Sequence, residues 1–438
     1  MTPSSANSSA ASTHSTGSNN SAMTTPYHYD IGLFEATGIE LEYMIVDAAT
    51  LDVMPICDDL VEAVNGAVEG EITPEGEDGP VAWSNELALH VVEFKTNGPA
   101  RSRTSLPAMF ERQVRRATGA LGPMRARLMP GAMHPWMNPV DELKLWPHEA
   151  NEFYEAFDRI FSCRGHGWAN LQSTHINLPF GDDDEFRRLH AAIRTMLPLL
   201  PGLAASSPVM EGRLTGLMDT RLEAYRNNCT RIPSVTGFVV PEGVGNRDEY
   251  ESIILSPIYR DIASLDPGNI LRNEWVNARG CIARFQRGTI EIRVLDIQEC
   301  PAADMAIVET IIGAVRNLAE ERYSSTDDQN LLDTVMLHGV FLDVIRHGDG
   351  TVIECEALLQ CLGVRERHIS LRELWVLLVE RIELPEVGID SFMKLYRRSG
   401  CLARRIAAAL DGDTSREALR AVYGQLCDCL ESDRMFEI

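Results

Sequence analysis

Four short runs in this sequence alternate polar and apolar positions with a period of two, the spacing of a half-buried strand. They are GIELEYMIVD at 38–47, ELALHVVEFKT at 86–96, STHINLPF at 173–180 and TIEIRVLDIQ at 289–298. Between them, residues 106–128, 149–161, 184–200 and 302–321 carry apolar residues at three- and four-residue steps and read as helices. Strands so widely separated by helices predict an α+β or mixed sheet. Beyond about residue 325 the alternation stops, and LLDTVMLHGVFLDVI, LRELWVLLVERI and REALRAVYGQLCDCL read as amphipathic helices. Residues 1–27 are mostly Ser, Thr, Ala, Asn and Gly, too little apolar surface to offset ordering entropy. The expected organisation is a disordered tail (1–27), a main domain (28–325) and a helical C-terminal region (326–438) packed on it.

Residues two apart on a strand share a face. Glu40 and Glu42 therefore oppose Ile39, Leu41, Tyr43 and Ile45, and Glu93 and Lys95 oppose Val92 and Phe94. By the same rule His175 and Asn177 oppose Thr174, Ile176 and Leu178, and Glu291 and Arg293 oppose Ile290, Ile292 and Val294. If the four strands form one sheet, its back packs on helices and its front gathers Glu40, Glu42, Glu93, Glu291, His175 and Arg293. Any one pair is compatible with a sheet whose outer face is simply solvated; the four together are not so easily explained, because acidic residues are depleted in strands and like charges across a sheet repel. The cluster calls for a cation. Oxygen-rich ligation, with no HExxH and no paired-cysteine spacing, suits Mg²⁺ or Mn²⁺ better than zinc. Magnesium held by carboxylates usually shares phosphate oxygens, so a nucleotide is the implied ligand.

The remaining composition narrows the class. A net charge of −24 over 438 residues disfavours nucleic acid and anionic membranes as partners. The ten cysteines have no CxxC pair and read as reduced thiols, and neither a spanning apolar stretch nor a signal-peptide pattern is evident, so a cytoplasmic location is expected. Trp136, Trp146 and Trp168 sit near prolines or glycines and read as packing anchors, with an active-site cover as the alternative. The acidic run EGEITPEGEDGP reads as a solvated loop, and the C-terminal Leu and Val stripes as core, with homo-oligomerisation left open.

The order GIELEY, VVEFKT, STHINLPF, ASSPVMEGRLTGLMDTR and TIEIRVLD, over roughly residues 35–320, resembles the glutamate-cysteine ligase and carboxylate-amine ligase family, whose fold is similar to the catalytic domain of glutamine synthetase. The resemblance implies a concave antiparallel sheet holding ATP and magnesium, backed by helices, with the helical region after 325 as an annex to the catalytic domain. It implies Glu40, Glu42, Glu93, His175 and Glu291 as metal ligands and Arg293 on the ATP phosphates. Arg213 and Arg221 match positions that line the substrate or phosphate region. The implied reaction is phosphorylation of a carboxylate by ATP, then attack by an amine, with small-molecule amino acids as partners and a γ-glutamyl amide as product. No protein nucleophile is needed, in keeping with the lack of GxSxG, GxxxxGK[ST] and GxGxxG. STHINLPF departs from the HVHVG-like form of many relatives, and LEAYRNNCTRIPSVTGFVVPEG matches no acceptor pocket, so neither the amine nor a base for it is singled out. A phosphotransferase, or a nucleotide-binding protein without turnover, would use the same face.

Overall fold

The computed structural model describes residues 28–68, 71–73, 79–383 and 385–438; the expected tail and most of the acidic run lie outside them. Strands β1 (Gly38–Asp47), β2 (Val81–Asn85), β3 (Val91–Thr96), β4 (Ala126–Met129), β5 (Ser173–Pro179), a two-residue hairpin β6 and β7 (Val209–Met210, Arg213–Leu214), β8 (Cys281–Arg284) and β9 (Thr289–Asp296) are all joined by antiparallel pairing. Seven of them form one sheet, six in the order β2-β3-β1-β5-β9-β8 and β4 off that path. β4 also pairs with β1, at Met44, where β3 holds the opposite edge. All four expected strands are thus neighbours in one sheet.

The apolar back rows bury completely: Ile39, Leu41, Phe94, Ile176, Leu178, Ile290 and Ile292 lie in one core. Helix Pro301–Ala319, buried over most of its length, packs with helices Asp183–Met196 and Leu106–Leu121. The Thr174 hydroxyl, on the back, donates to Asp304 Oδ1 at 2.7 Å and fixes this helix to β5. The segments after residue 325 share the same core through Leu337, Phe341, Leu371 and Trp375. The front of β1 changes character along its length. Past Glu42 the same row continues as Met44 and Val46, which join a second core with Leu402, Ile406, Leu419, Val422 and Leu426 of the last two helices. The C-terminal region therefore covers the apolar half of the front and leaves the charged half to the cavity.

Two boundaries differ from the sequence reading. The helix expected to reach Leu128 ends at Leu121; Pro123 has no amide proton for another helical bond, and Arg125 turns the chain at φ 57°. Residues 126–129 then form β4, whose apolar positions had merely continued the helical spacing. The strand expected from Glu86 begins at Val91, after a turn closed by Val91 N–H donating to Ala88 C=O at 2.9 Å.

A third difference matters more. Thr174 pairs with Leu295 but Ile176 pairs with Ile292, so Arg293 and Val294 together oppose His175 in a β-bulge. The extra residue reverses the alternation beyond it, and Asp296, which strict alternation places on the back, pairs with Ser173 in the front row. Gly280 supports the bulge: its carbonyl accepts from Arg293 N–H at 3.0 Å. A methyl group there would stand 2.6 Å from Val294 Cγ1 and 3.0 Å from Leu197 Cδ1. Gly280→Ala is expected to lower stability by about 1–3 kcal/mol through overpacking; an unchanged urea midpoint would show that the bulge is not tightly held.

Candidate active site

The register places the charged residues side by side. Glu40 lies opposite Lys95 on one neighbour and His175 on the other, Glu42 opposite Glu93, and Asn177 opposite Glu291. A continuous chain of hydrogen bonds follows. His175 Nδ1 lies 2.8 Å from Glu40 Oε2, its Nε2 lies 2.9 Å from Ser173 Oγ, and Ser173 donates from Oγ (3.0 Å) and N–H (2.7 Å) to Glu42 Oε2. A protonated imidazole donating from both nitrogens satisfies every link, with the Ser173 hydroxyl proton turned to Glu42. Asn177 donates to Glu40 Oε1 at 3.1 Å, and Ser84 donates to Glu93 Oε1 at 2.5 Å. Glu291 is held between Arg284, at 2.8 Å, and Arg293.

These contacts set the protonation states. Burial works against the His175 charge, but the Glu40 hydrogen bond and the charges of Glu42, Glu40 and Glu291 outweigh it and raise the imidazole to about 9. Burial also pushes Glu40 up, yet the bond from His175 and the neighbouring cations hold it at about 2. Glu291 is buried as well, and Arg293, Arg284 and His175 pull it well below the usual carboxylate range. Glu42 is raised by burial, and Glu93 by burial and the charge of Glu40.

Two cavities meet at Arg293. The larger, about 650 Å³, is lined by Glu40, Glu93, Glu291, Lys95, Arg284 and Arg287 among others. The smaller, about 90 Å³, is lined by Glu42, Glu86, Ser173, His175, Arg221 and a group of aromatic rings. Donor atoms of Glu40, His175 and Glu291 lie within 4.8 Å of one another, and so do those of Glu42, Glu93 and His175. Carboxylate oxygens with a single imidazole are a hard donor set that fits magnesium or manganese.

The structure thus brings together Glu40, Glu42, Glu93, His175, Glu291 and Arg293. Arg221 also reaches the site, but as a buried support: its Nε donates to Asp296 Oδ1 at 2.5 Å, and Asp296 also accepts from Ser206 and Ser207. Arg213 does not join it. That side chain is 72% exposed on the β6–β7 hairpin, pairs with Glu211 and lines neither cavity. Trp146 is buried packing and Trp136 lies under Arg416, whereas Trp168 lines the smaller cavity. Sequence reasoning missed Glu86 and Asp296 because a turn and a bulge break the alternation, and Arg284 because the short run CIAR carries little pattern; its hairpin relation to TIEIR across FQRG was the available signal.

The site is thus one face of an antiparallel sheet, in a mixed α+β fold, that presents carboxylates and arginines to a large cavity. Residues 36–340 match the family model described as Glutamate-cysteine ligase family 2 (GCS2). A protein of Archaeoglobus fulgidus without a functional name is 31% identical over 91% of this chain and 99% of its own length. A Bradyrhizobium protein (strain ORS 278), provisionally named glutamate–cysteine ligase 2, is 29% identical over 65% of this chain and 62% of its own length. Among solved structures, the glutamate–cysteine ligase of Francisella tularensis in complex with AMP has the same fold, with TM-score 0.57 and 10% identity over 92% of this chain and 90% of that one. The chain belongs to glutamate-cysteine ligase family 2. No helix among the described residues is long and apolar enough to cross a membrane.

The raised His175 pKa carries a sign. Its stabilisation is fully present below the unfolded value of about 6.5 and is lost as pH rises toward about 9. In EDTA, stability is expected to fall by on the order of 3 kcal/mol across that window, and His175→Gln to remove most of the slope. Urea unfolding at a series of pH values checks this; a flat wild-type profile would contradict the assigned imidazolium.

Proposed function

We propose that the chain phosphorylates a carboxylate with ATP in the larger cavity and transfers the acyl group to an amine entering from the smaller one. Glutamate is the acyl donor its family name suggests. The observation that carries this reading is the arrangement of two carboxylate–imidazole donor sets beside a large cavity edged with Lys95, Arg284 and Arg287, next to a small side cavity reached past Arg293. The AMP held by the Francisella neighbour supports a nucleotide in the larger cavity.

Glu40, Glu42, Glu93, Glu291 and, once it gives up a ring proton, His175 would hold magnesium, which when bound neutralises phosphate oxygens and aligns the transfer. The protein's own residues do the rest. Arg293, locked by Glu291, keeps a fixed guanidinium at the junction of the cavities, where charge builds on the transferred phosphoryl group. Lys95 and Arg284 offset the carboxylates around them and keep the wall of the larger cavity from repelling an anion. In the first step a carboxylate oxygen bonds to the γ-phosphorus as the bond to the bridging oxygen of ADP breaks. In the second the amine, having shed its ammonium proton to solvent, bonds to the acyl carbon. The carbon–oxygen bond to phosphate then breaks, and phosphate leaves with the second nitrogen proton.

Glu291→Gln is expected to lower ADP formation by more than about tenfold with the fold retained, since it removes both a donor oxygen and the anchor of Arg293. Arg293→Lys is expected to be similarly damaging, because a point charge does not reproduce the guanidinium fork. Coupled ADP assays with circular dichroism controls check both; near-normal turnover in Glu291→Gln would sink the assignment.

A further inference from the structure

Tyr225 stands where the two cavities meet, beside Arg293. It closes the helix Thr220–Tyr225, and its ring shares the wall of the smaller cavity with Tyr154, Phe157 and Trp168. The helix is pinned at its start. Asp219 Oδ1 accepts from Leu222 N–H at 2.8 Å, Ser207 Oγ accepts from Arg221 N–H at 3.1 Å, and the Arg221 guanidinium is held by Asp296. Tyr225 is only 7% exposed, so packing and not solvent fixes where its hydroxyl lies.

That hydroxyl is buried against the Arg293 guanidinium, and no carboxylate or carbonyl among the described residues takes its proton. Several polar neighbours are already engaged: His175 bridges Glu40 and Ser173, Ser173 donates to Glu42, and Arg221 donates to Asp296. A phenol beside a guanidinium offers its lone pairs to the cation and turns its proton away from it. Burial raises the Tyr225 pKa above its ordinary value, with Arg293 working against that rise, so the proton is retained at neutral pH. A neutral O–H donor polarised by a fixed cation in a buried site is suited to stabilising an oxyanion.

The side on which it stands selects the oxygen it serves. Lys95, Arg284 and Arg287 line the larger cavity, which takes the nucleotide phosphates, whereas Tyr225 lines the smaller one, from which the amine enters. The acyl carbon is attacked where the two meet. As the nitrogen–carbon bond forms, the carbonyl π pair moves onto the acyl oxygen. It returns as the carbon–oxygen bond to phosphate breaks and phosphate keeps the bonding pair. The charge on the acyl oxygen is transient, and a donor already in place stabilises it without reorganisation.

We propose that Tyr225 is a further catalytic residue: its O–H donates to the acyl oxygen while the amine adds, holding the negative charge that builds there until phosphate leaves. This rests on the ligase reading above. The hydroxyl keeps its proton throughout, and Arg293 holds its oxygen from behind.

Two arms separate this inference from the reading beneath it. First, the full chain with Mg²⁺, ATP, hydroxylamine and a panel of carboxylates led by glutamate is assayed for hydroxamate; none with any carboxylate would overturn both. Second, with the carboxylate that gives hydroxamate, wild type and Tyr225→Phe are followed by rapid quench through one turnover, with ADP and hydroxamate measured separately. Hydroxylamine is kept low enough for its attack to limit hydroxamate formation. Tyr225→Phe is expected to slow hydroxamate formation by at least about tenfold and ADP formation by less than about threefold, so that ADP runs ahead of hydroxamate. Equal slowing of both would mean that Tyr225 only props Arg293, and hydroxamate at the wild-type rate would leave the hydroxyl without a role. Either result overturns the inference and leaves carboxylate activation standing. Circular dichroism checks the fold of the variant. Should it fail to fold, 3-fluorotyrosine in place of Tyr225, a stronger donor of nearly the same shape, is expected to change the hydroxamate step and not the ADP step; equal changes, or none, would overturn the inference.

Discussion

Four carboxylates from three different strands lie on one face of one sheet, and the fold around them is organised by the need to hold like charges close together. Glu40, Glu42, Glu93 and Glu291 occupy neighbouring register positions where repulsion would ordinarily part the strands. Two features keep them in place. The backs of the same strands are completely buried, so the strands cannot separate or slip without exposing Ile39, Leu41, Phe94, Ile176 and Ile292. On the front, cations and hydroxyls alternate with the acids: Lys95 beside Glu93, His175 between Glu40 and Ser173, and Arg284 and Arg293 on either side of Glu291. The result is a preorganised acidic surface with donor atoms turned to one place, which is what a divalent ion and a polyphosphate require.

The bulge in β9 makes that arrangement asymmetric. By inserting one residue opposite His175 it allows Arg293 to remain with Glu291 while Asp296 comes forward to hold Arg221. Arg221 and Asp296 form a buried pair whose remaining hydrogen bonds come from Ser206 and Ser207, so it supports the wall between the cavities without a free charge. The C-terminal helices complete the frame. They cover Met44 and Val46, the apolar continuation of the carboxylate row, and so limit the polar front to the length the site needs.

Most of this frame was legible in the sequence wherever strict alternation held. Glu40, Glu42, Glu93, His175, Glu291 and Arg293 were found by counting in twos, and the apolar back followed from the same count. Legibility ended where the chain departs from a straight strand. The turn before Val91 hid Glu86, the bulge hid Asp296, and the short strand β4 lay concealed in the tail of a helical pattern because its apolar positions fit both periods over four residues. Arg213 shows the opposite failure: a motif resemblance placed it at the site, but the hairpin that carries it points to solvent. The division of the front into a spacious cavity and a small one walled by aromatic rings depends on contacts between distant segments, which no local pattern encodes.

The central claim is that this face transfers phosphate to a carboxylate oxygen. The most direct measurement uses an acyl donor labelled with ¹⁸O in its reacting carboxylate, with ATP, magnesium and an amine, followed by mass analysis of the released phosphate. The account predicts one ¹⁸O atom carried into each phosphate formed. Phosphate free of label, released at the same rate as ADP, would mean that water and not the carboxylate receives the phosphoryl group.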